Sequence, residues 1–354
     1  MMNRVFHYRP IDLTTTELFA LDIELAERLI TRRRFIIGAV GLLGASAVAG
    51  CDRGQDTTAP AAMTQMIRIE HAGGVTEVTP GVKRIVTLDG HVDLHTLIAL
   101  GYTPIMTGLA GEWPDYPPLV HALPVGSAEI EILPRGIENI ERIAAVQPQL
   151  ILSAEYDSER YDLLSEMAPT ILLDRYELDV DGHVRTVATA LRSPEAAERV
   201  IAAFEERVAE VHNTVAGTAM RDTPFAVVMQ HGFNGTFRML GRTSYCGRTL
   251  AAVGANRLID PDVGEPDGSN GEFGIDVSRE LLADVLGPVA FIVMAISSPF
   301  TGAEPLSNSP LWERIPAVQE GAMVEVNEDI WYQDTALNRM ARLDDIEALV
   351  RQFG

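Results

Sequence analysis

RGIENIERIAAVQPQLILSAEY, residues 135–156, decides the fold. Ile137, Ile140, Ile143 and Ala144 recur at helical spacing, Pro148 stops that helix, and Leu150–Ala154 is a mostly apolar run of strand length. A helix closed by proline and followed at once by a largely apolar strand is half of a β-α-β repeat. Arg135 at the front and Tyr156 at the back serve no purpose in that scaffold, which makes them candidates for contact with something else.

The same alternation extends in both directions. Met66–Ile69 and Val75–Val78 form a predicted hairpin turned at Gly73-Gly74, and Arg84–Leu88 reads as a strand. A helix over His91–Leu100, ended by Gly101, a strand from Pro104–Met106, a helix over Ile137–Val146 and the strand Leu150–Ala154 follow. Tyr161–Met167 is then helix and Thr170–Leu173 strand. Strands alternating with helices predict a parallel sheet covered by helices, with ligands beyond the carboxyl ends of the strands. Ser193-Pro194 then opens a different element, closed by Gly217. Between them Ala197, Val200, Ile201, Phe204, Val208 and Val211 define one amphipathic helix about 34 Å long. The alternation restarts with Phe225–Met229, a helix over Arg248–Val253, then Val277–Val285, Ala290–Ile296 and Met323–Val326.

Length and charge bound the function. A chain of 354 residues with 47% apolar content has enough for two ordinary cores. Its net charge of −22, with Lys83 the only lysine, argues against nucleic acid as a partner. The N-terminal region reads as an address. Thr31-Arg32-Arg33-Arg34-Phe35-Ile36 is similar to a twin-arginine export signal. The apolar run Ile36–Val48 is too short to cross a hydrocarbon core of about 30 Å as a helix. Val48-Ala49-Gly50-Cys51 resembles a bacterial lipobox, in which small residues admit a peptidase to the bond before Cys51 and its thiol is then acylated. The rival reading, a transmembrane anchor with an ordinary cysteine, is disfavoured by that length and those small residues. With the Cys51 thiol acylated, only Cys246 keeps a free thiol, which leaves no intrachain disulfide. The expected organisation is a signal at 1–51, a flexible tether at 52–66, an N-terminal lobe at 67–192, a connecting helix at 193–217 and a C-terminal lobe at 218–354. The mature protein is expected on the outer face of the cytoplasmic membrane, held there by lipid alone, as a monomer.

Several blocks carry a family resemblance. Lys83-Arg84-Ile85-Val86-Thr87-Leu88 before a helix ending Ala99-Leu100-Gly101 resembles the opening of the siderophore- and cobalamin-binding proteins of ABC importers. Asn139-Ile140-Glu141-Arg142-Ile143 with Gln147-Pro148-Gln149-Leu150-Ile151 does so too, as do Ala168-Pro169-Thr170, Pro310-Leu311-Trp312 and Ile315-Pro316-Ala317-Val318. The blocks run in family order over residues 66–354. The resemblance implies an α/β fold of two Rossmann-like lobes joined by a single long helix, with ligand in the cleft between them.

A ferric siderophore brings its iron already saturated, so a binder needs aromatic walls and an Arg or Tyr donor toward the chelate rather than metal ligands. Arg135 and Tyr156 resemble the arginine and tyrosine that hydroxamate-siderophore binders aim at iron-bound oxygens; Glu155 departs from the family's small residue and would oppose an anionic chelate. Trp331 in Ile330-Trp331-Tyr332 resembles the cleft tryptophan, with Tyr332 beside it. Phe273 stands in for another cleft aromatic, and Arg242 and Tyr245 are placed on the loop after Leu240. Glu141 and Glu280 match the two acidic residues through which family members dock on permease arginines, and the ABC permease with its ATPase are the implied partners.

Two other classes compete. His91 and His95, spaced i, i+4, with His231 and Asp89 or Glu155, could hold free Zn²⁺ or Mn²⁺, and haem or cobalamin are alternative cargoes. An enzyme reading rests only on a metal-dependent hydrolase built on His91 and His95. The chain contains no G-x-S-x-G, P-loop, G-x-G-x-x-G or H-E-x-x-H. The expectation is therefore a binding protein with no permanent cofactor, whose ligand is an iron(III)–siderophore complex.

Overall fold

The computed structural model describes residues 65–108, 130–133, 140–174, 178–230, 236–260, 265–266, 273–296 and 305–353. They group into two compact units that divide between Ala197 and Glu198.

The first unit opens with the hairpin β1 (Ile67–His71) and β2 (Gly74–Val78), paired antiparallel. It is pinned to the sheet by Thr76, whose hydroxyl donates to the Thr170 carbonyl at 2.7 Å. The sheet comprises β3 (Ile85–Thr87), β4 (Met106–Thr107), β5 (Glu131–Ile132), β6 (Leu150–Ala154) and β7 (Thr170–Leu173), all parallel, in the order β5-β4-β3-β6-β7. Helices α1 (Val92–Ala99), α2 (Ile140–Ala145), α3 (Tyr161–Met167) and α4 (Val180–Ala190) connect and flank these strands. Every residue of β3, β6 and β7 is buried, which is what a parallel sheet covered on both faces requires. The chain winds outward from β3 to β5, returns, and winds the other way through β6 and β7. The strand order therefore reverses between β3 and β6, and it is at such a reversal, beyond the strand ends, that ligands sit in sheets of this kind. Asp89 and His91 follow β3 at this point, and a 3₁₀ turn, Glu155–Arg160, follows β6. Gly101 ends α1 at φ +89, a conformation that favours glycine.

Helix α5 (Pro194–Ala216) spans the boundary between the units. The second unit holds a mixed six-stranded sheet in the order β10-β11-β9-β8-β12-β13. Its strands are β8 (Phe225–Met229), β9 (Phe237–Met239), β10 (Glu265–Pro266), β11 (Ile275–Val277), β12 (Phe291–Ile296) and β13 (Met323–Asn327). β8, β12 and β13 run parallel, whereas β9, β11 and β10 pair antiparallel. The remaining helices are α6 (Tyr245–Ala252), α7 (Leu282–Leu286), α8 (Pro316–Gln319), α9 (Glu328–Tyr332) and α10 (Asn338–Phe353). Strand periodicity sorts the core into two faces. Phe225, Val227 and Met229 with Phe291, Val293 and Ala295 point toward α5, α6, α9 and α10. Ala226, Val228, Phe237, Met239, Ile292 and Met294 point toward α7 and α8.

Three expectations need correction. The second sheet is parallel only in its β8-β12-β13 half. α6 begins at Tyr245 rather than Arg248, because the Ser244 hydroxyl caps the helix by accepting from the Gly247 amide at 3.1 Å. Val277–Val285 is not one element: it breaks into the end of β11, a 3₁₀ turn Arg279–Leu281 and α7. The periodic reading also passed over α4 and α10.

Candidate functional site

β9 reads Phe237-Arg238-Met239, and its two apolar side chains enter the α7/α8 face of the core. Alternation sends Arg238 to the opposite face, where it is 4% exposed. Its neighbour across the antiparallel ladder is Asp276, the central residue of β11. The guanidinium donates from Nε to Asp276 Oδ1 at 2.7 Å and from Nη2 to Oδ2 at 3.1 Å, a two-point clamp. Nη1 donates to the Tyr332 hydroxyl at 3.0 Å. Gly274, at φ +107, gives this arginine its path. A Cβ there would stand 2.9 Å from Arg238 Cγ and 2.8 Å from the Met239 carbonyl oxygen.

Around this buried cation three aromatic rings meet. Tyr245 is the first residue of α6, Phe273 precedes β11, and Tyr332 ends α9. The Tyr245 and Phe273 rings are edge-on with centroids 5.5 Å apart, and Phe273 lies 5.9 Å from Tyr332 at an interplanar angle of 50°. Such tilted contacts suit the charge distribution of aromatic rings. All three are half-buried, so the group keeps one side open to solvent. Arg248 stacks over Tyr245, 4.8 Å from its centroid. Arg242 is tied to Asp260 through its Nε at 2.7 Å and through its amide at 2.6 Å. Cys246, next to Tyr245, is buried, and that burial raises its thiol pKa. This surface offers π faces and hydroxyls for grip, with the positive charges of Arg238 and Arg242 each balanced by a carboxylate.

Of the expected ligand contacts in this unit, Tyr245, Phe273 and Tyr332 come together, and Arg242 is engaged with Asp260. Trp331 requires correction as an aromatic wall. It is 0% exposed, packs in the α5/α6/α9/α10 face of the core, and donates its indole N–H to Asp345 Oδ2 at 2.8 Å. On the one-and-a-half turns of α9 the core took the indole, and the adjacent Tyr332 was left at the surface. Arg238 and Asp276 were not anticipated. Their signal was a charged residue centred in each of two apolar triplets, Phe237-Arg238-Met239 and Ile275-Asp276-Val277, with opposite signs.

In the first unit, Tyr156 lies on the 3₁₀ turn beyond β6, at the reversal of strand order. That turn is anchored by Asp157, 2% exposed, which accepts from the Ser153 hydroxyl and from Arg160. Arg135, His231, Cys51 and the export and lipobox segments lie outside the described residues. His91 and His95 are buried at 3% and 0% exposure, and Asp89 accepts from the His91 and Val92 amides. Among the described residues no group of three or more His, Cys, Asp or Glu could hold a metal ion. Glu141 on α2 and Glu280 on the turn before α7 are both exposed. Among the described residues no helix is long and apolar enough to cross a membrane.

Two α/β units, each with a central sheet, with one long helix spanning the boundary between them, are the frame of a solute-binding protein. The chain belongs to the periplasmic binding protein family, whose model matches residues 85–330. It is similar to the ferric-anguibactin-binding protein FatB of Vibrio anguillarum, with 26% identity over 76% of this chain and 82% of that protein. It is also similar to the Fe(3+)-citrate-binding protein YfmC of Bacillus subtilis, with 25% identity over 86% of this chain and 92% of that one. Among solved structures it resembles the FhuD protein from S. pseudintermedius, with a TM-score of 0.60 and 18% identity over 81% of this chain and 98% of the other.

Proposed function

We propose that the protein is an exported binding component of an ABC importer that captures a ferric siderophore and passes it to a membrane permease. The observation that carries this reading is the Tyr245–Phe273–Tyr332 group with a buried, charge-balanced guanidinium behind it. An iron already enclosed by its chelator presents an outer surface of carbon and oxygen, which aromatic rings and hydroxyls grip well. The names of the relatives above, which refer to ferric anguibactin and ferric citrate, support the same cargo class. Arg135 and Tyr156 are the contacts proposed from the first unit. Cys51 is the proposed lipid anchor behind a twin-arginine-type signal, and Glu141 and Glu280 are the proposed permease contacts.

Within that class the chemistry favours a ferric trishydroxamate, whose iron centre with its three hydroxamates carries no net charge. Arg238 is committed to Asp276 and Arg242 to Asp260, so two of the three arginines at this face, Arg248 being the third, have their charge balanced by a carboxylate, which suits a chelate of low charge better than a strongly anionic catecholate complex. Glu155 beside Tyr156 adds to that preference.

The test is titration of the purified protein's intrinsic fluorescence with ferrioxamine B, ferrichrome and a ferric tricatecholate. Saturable quenching by the first two at micromolar concentration or below is expected. Saturation only by the tricatecholate would remove the hydroxamate assignment, and no saturation with any chelate would remove the siderophore reading.

A further inference from the structure

Arg342 lies on α10 and is 0% exposed. Burying a guanidinium costs several kcal/mol unless its donors are matched, and a salt bridge alone rarely compensates. Here the acceptors are mostly backbone. Nε donates to the Ile330 carbonyl at 3.0 Å and Nη2 to the Gln333 carbonyl at 2.7 Å. These two carbonyls flank Tyr332 on either side. Nη1 donates to the Tyr245 carbonyl at 3.2 Å and the Thr249 hydroxyl at 2.8 Å, with Asp334 Oδ1 at 3.4 Å. One planar group thus holds the backbone of Tyr245 at the start of α6 and the backbone on both sides of Tyr332 at the end of α9. A lysine could not do this, because its ammonium is a point donor without the fork.

We infer that Arg342 is the positioning residue of the binding face: it sets the separation of Tyr245 and Tyr332, the two rings that Phe273 touches, and so the spacing of the aromatic face that a ligand meets. The inference rests on the reading of this face as the siderophore site. Arg342 touches no ligand and acts through the two rings.

The experiment is a double-mutant cycle in ferrioxamine B binding on the intact chain, using Arg342→Lys, Tyr332→Ala and the combination. Arg342→Lys is expected to weaken binding about tenfold in the wild-type background and less than about twofold once Tyr332 is alanine, because residues that act through one another are not additive. Arg207→Ala is the control. Arg207 joins α5 to α10 through Asp344 and Glu347 at 2.6 Å each, so its loss lowers the melting temperature and leaves Kd unchanged. An unchanged Kd for Arg342→Lys overturns the inference, as does equal weakening in both backgrounds. Should Arg342→Lys not fold, Thr249→Val removes one Nη1 acceptor at little change in shape, and the same two outcomes apply to it. If wild type binds no chelate, it is the siderophore assignment that fails.

Discussion

Arg238 and Asp276 are direct cross-strand partners in antiparallel β9 and β11, and their side chains, 5% and 10% exposed, close a two-point ion pair behind the aromatic face. The pair is sheet structure and site structure at once, since the remaining Nη1 holds the Tyr332 hydroxyl. Removing one partner breaks a two-point ion pair in a buried setting. Arg238→Met or Asp276→Leu alone is expected to cost about 3–5 kcal/mol, while the double replacement recovers most of it. Urea denaturation of the three variants, with comparable slopes, measures this. Equal losses in the single and double variants would show that the pairing does not matter.

Gly274 tests the same geometry without touching a charge. An alanine there must accept φ +107 and place its Cβ against the Met239 carbonyl and the Arg238 side chain. Gly274→Ala is expected to lose more than about 1 kcal/mol of stability, beyond the ordinary gain from reducing chain entropy. It should also weaken ferrioxamine B binding through Arg238. A stable variant with wild-type affinity would mean that Arg238 has another route to Tyr332.

Asp345 gives the stability of the second unit a defined pH dependence. Burial raises its pKa from 3.8 to about 6; the indole N–H of Trp331 lowers it, the neighbouring Asp344 raises it and Arg342 lowers it. The folded pKa lies above the unfolded one. The contribution to stability is therefore complete below pH 4, and it is lost as pH rises through 6. The loss amounts to roughly 3 kcal/mol. Asp345→Asn keeps an acceptor for the indole and cannot ionise, so it should gain on wild type by up to that amount between pH 4 and pH 8. Denaturation of both proteins across that range reads the difference directly, and a constant offset would contradict the assignment.

Glu141 and Glu280 are both exposed, on different units. Replacing both with alanine is expected to leave ferrioxamine B affinity and stability within about 0.5 kcal/mol of wild type, as for other surface changes. Iron uptake by cells relying on this protein should fall at least tenfold. Unchanged uptake would remove these residues from permease docking.

The first unit was readable because its strands are buried on both faces, so Leu150–Ala154 and Thr170–Leu173 stand out as apolar runs with proline or turn signals beside them. Phe225–Met229 stands out in the second unit for the same reason. β9 and β11 did not, because each is three residues long and carries a charge at its centre. Tyr245 was placed on a loop although Ser244 is a good helix cap; Gly247 inside the first turn masked the helical pattern. Trp331 and Tyr332 are adjacent on a five-residue helix, and their order in the chain does not say which of them the core will take. Arg342 was invisible for a different reason. In sequence it is one more charged residue in a charged helix, and only the convergence of carbonyls from two other segments identifies it as interior.

Arg342 also follows every group it holds along the chain: Tyr245, Thr249, Ile330, Gln333 and Asp334 all precede it. A ribosome therefore delivers the aromatic side chains before the residue that spaces them. During synthesis the face exists first as loose parts, competent as chemistry and not yet as a gauge of size. On the proposal that Arg342 spaces the rings, the geometry of the face is set last, when α10 brings Leu343, Ile346 and Leu349 into the core.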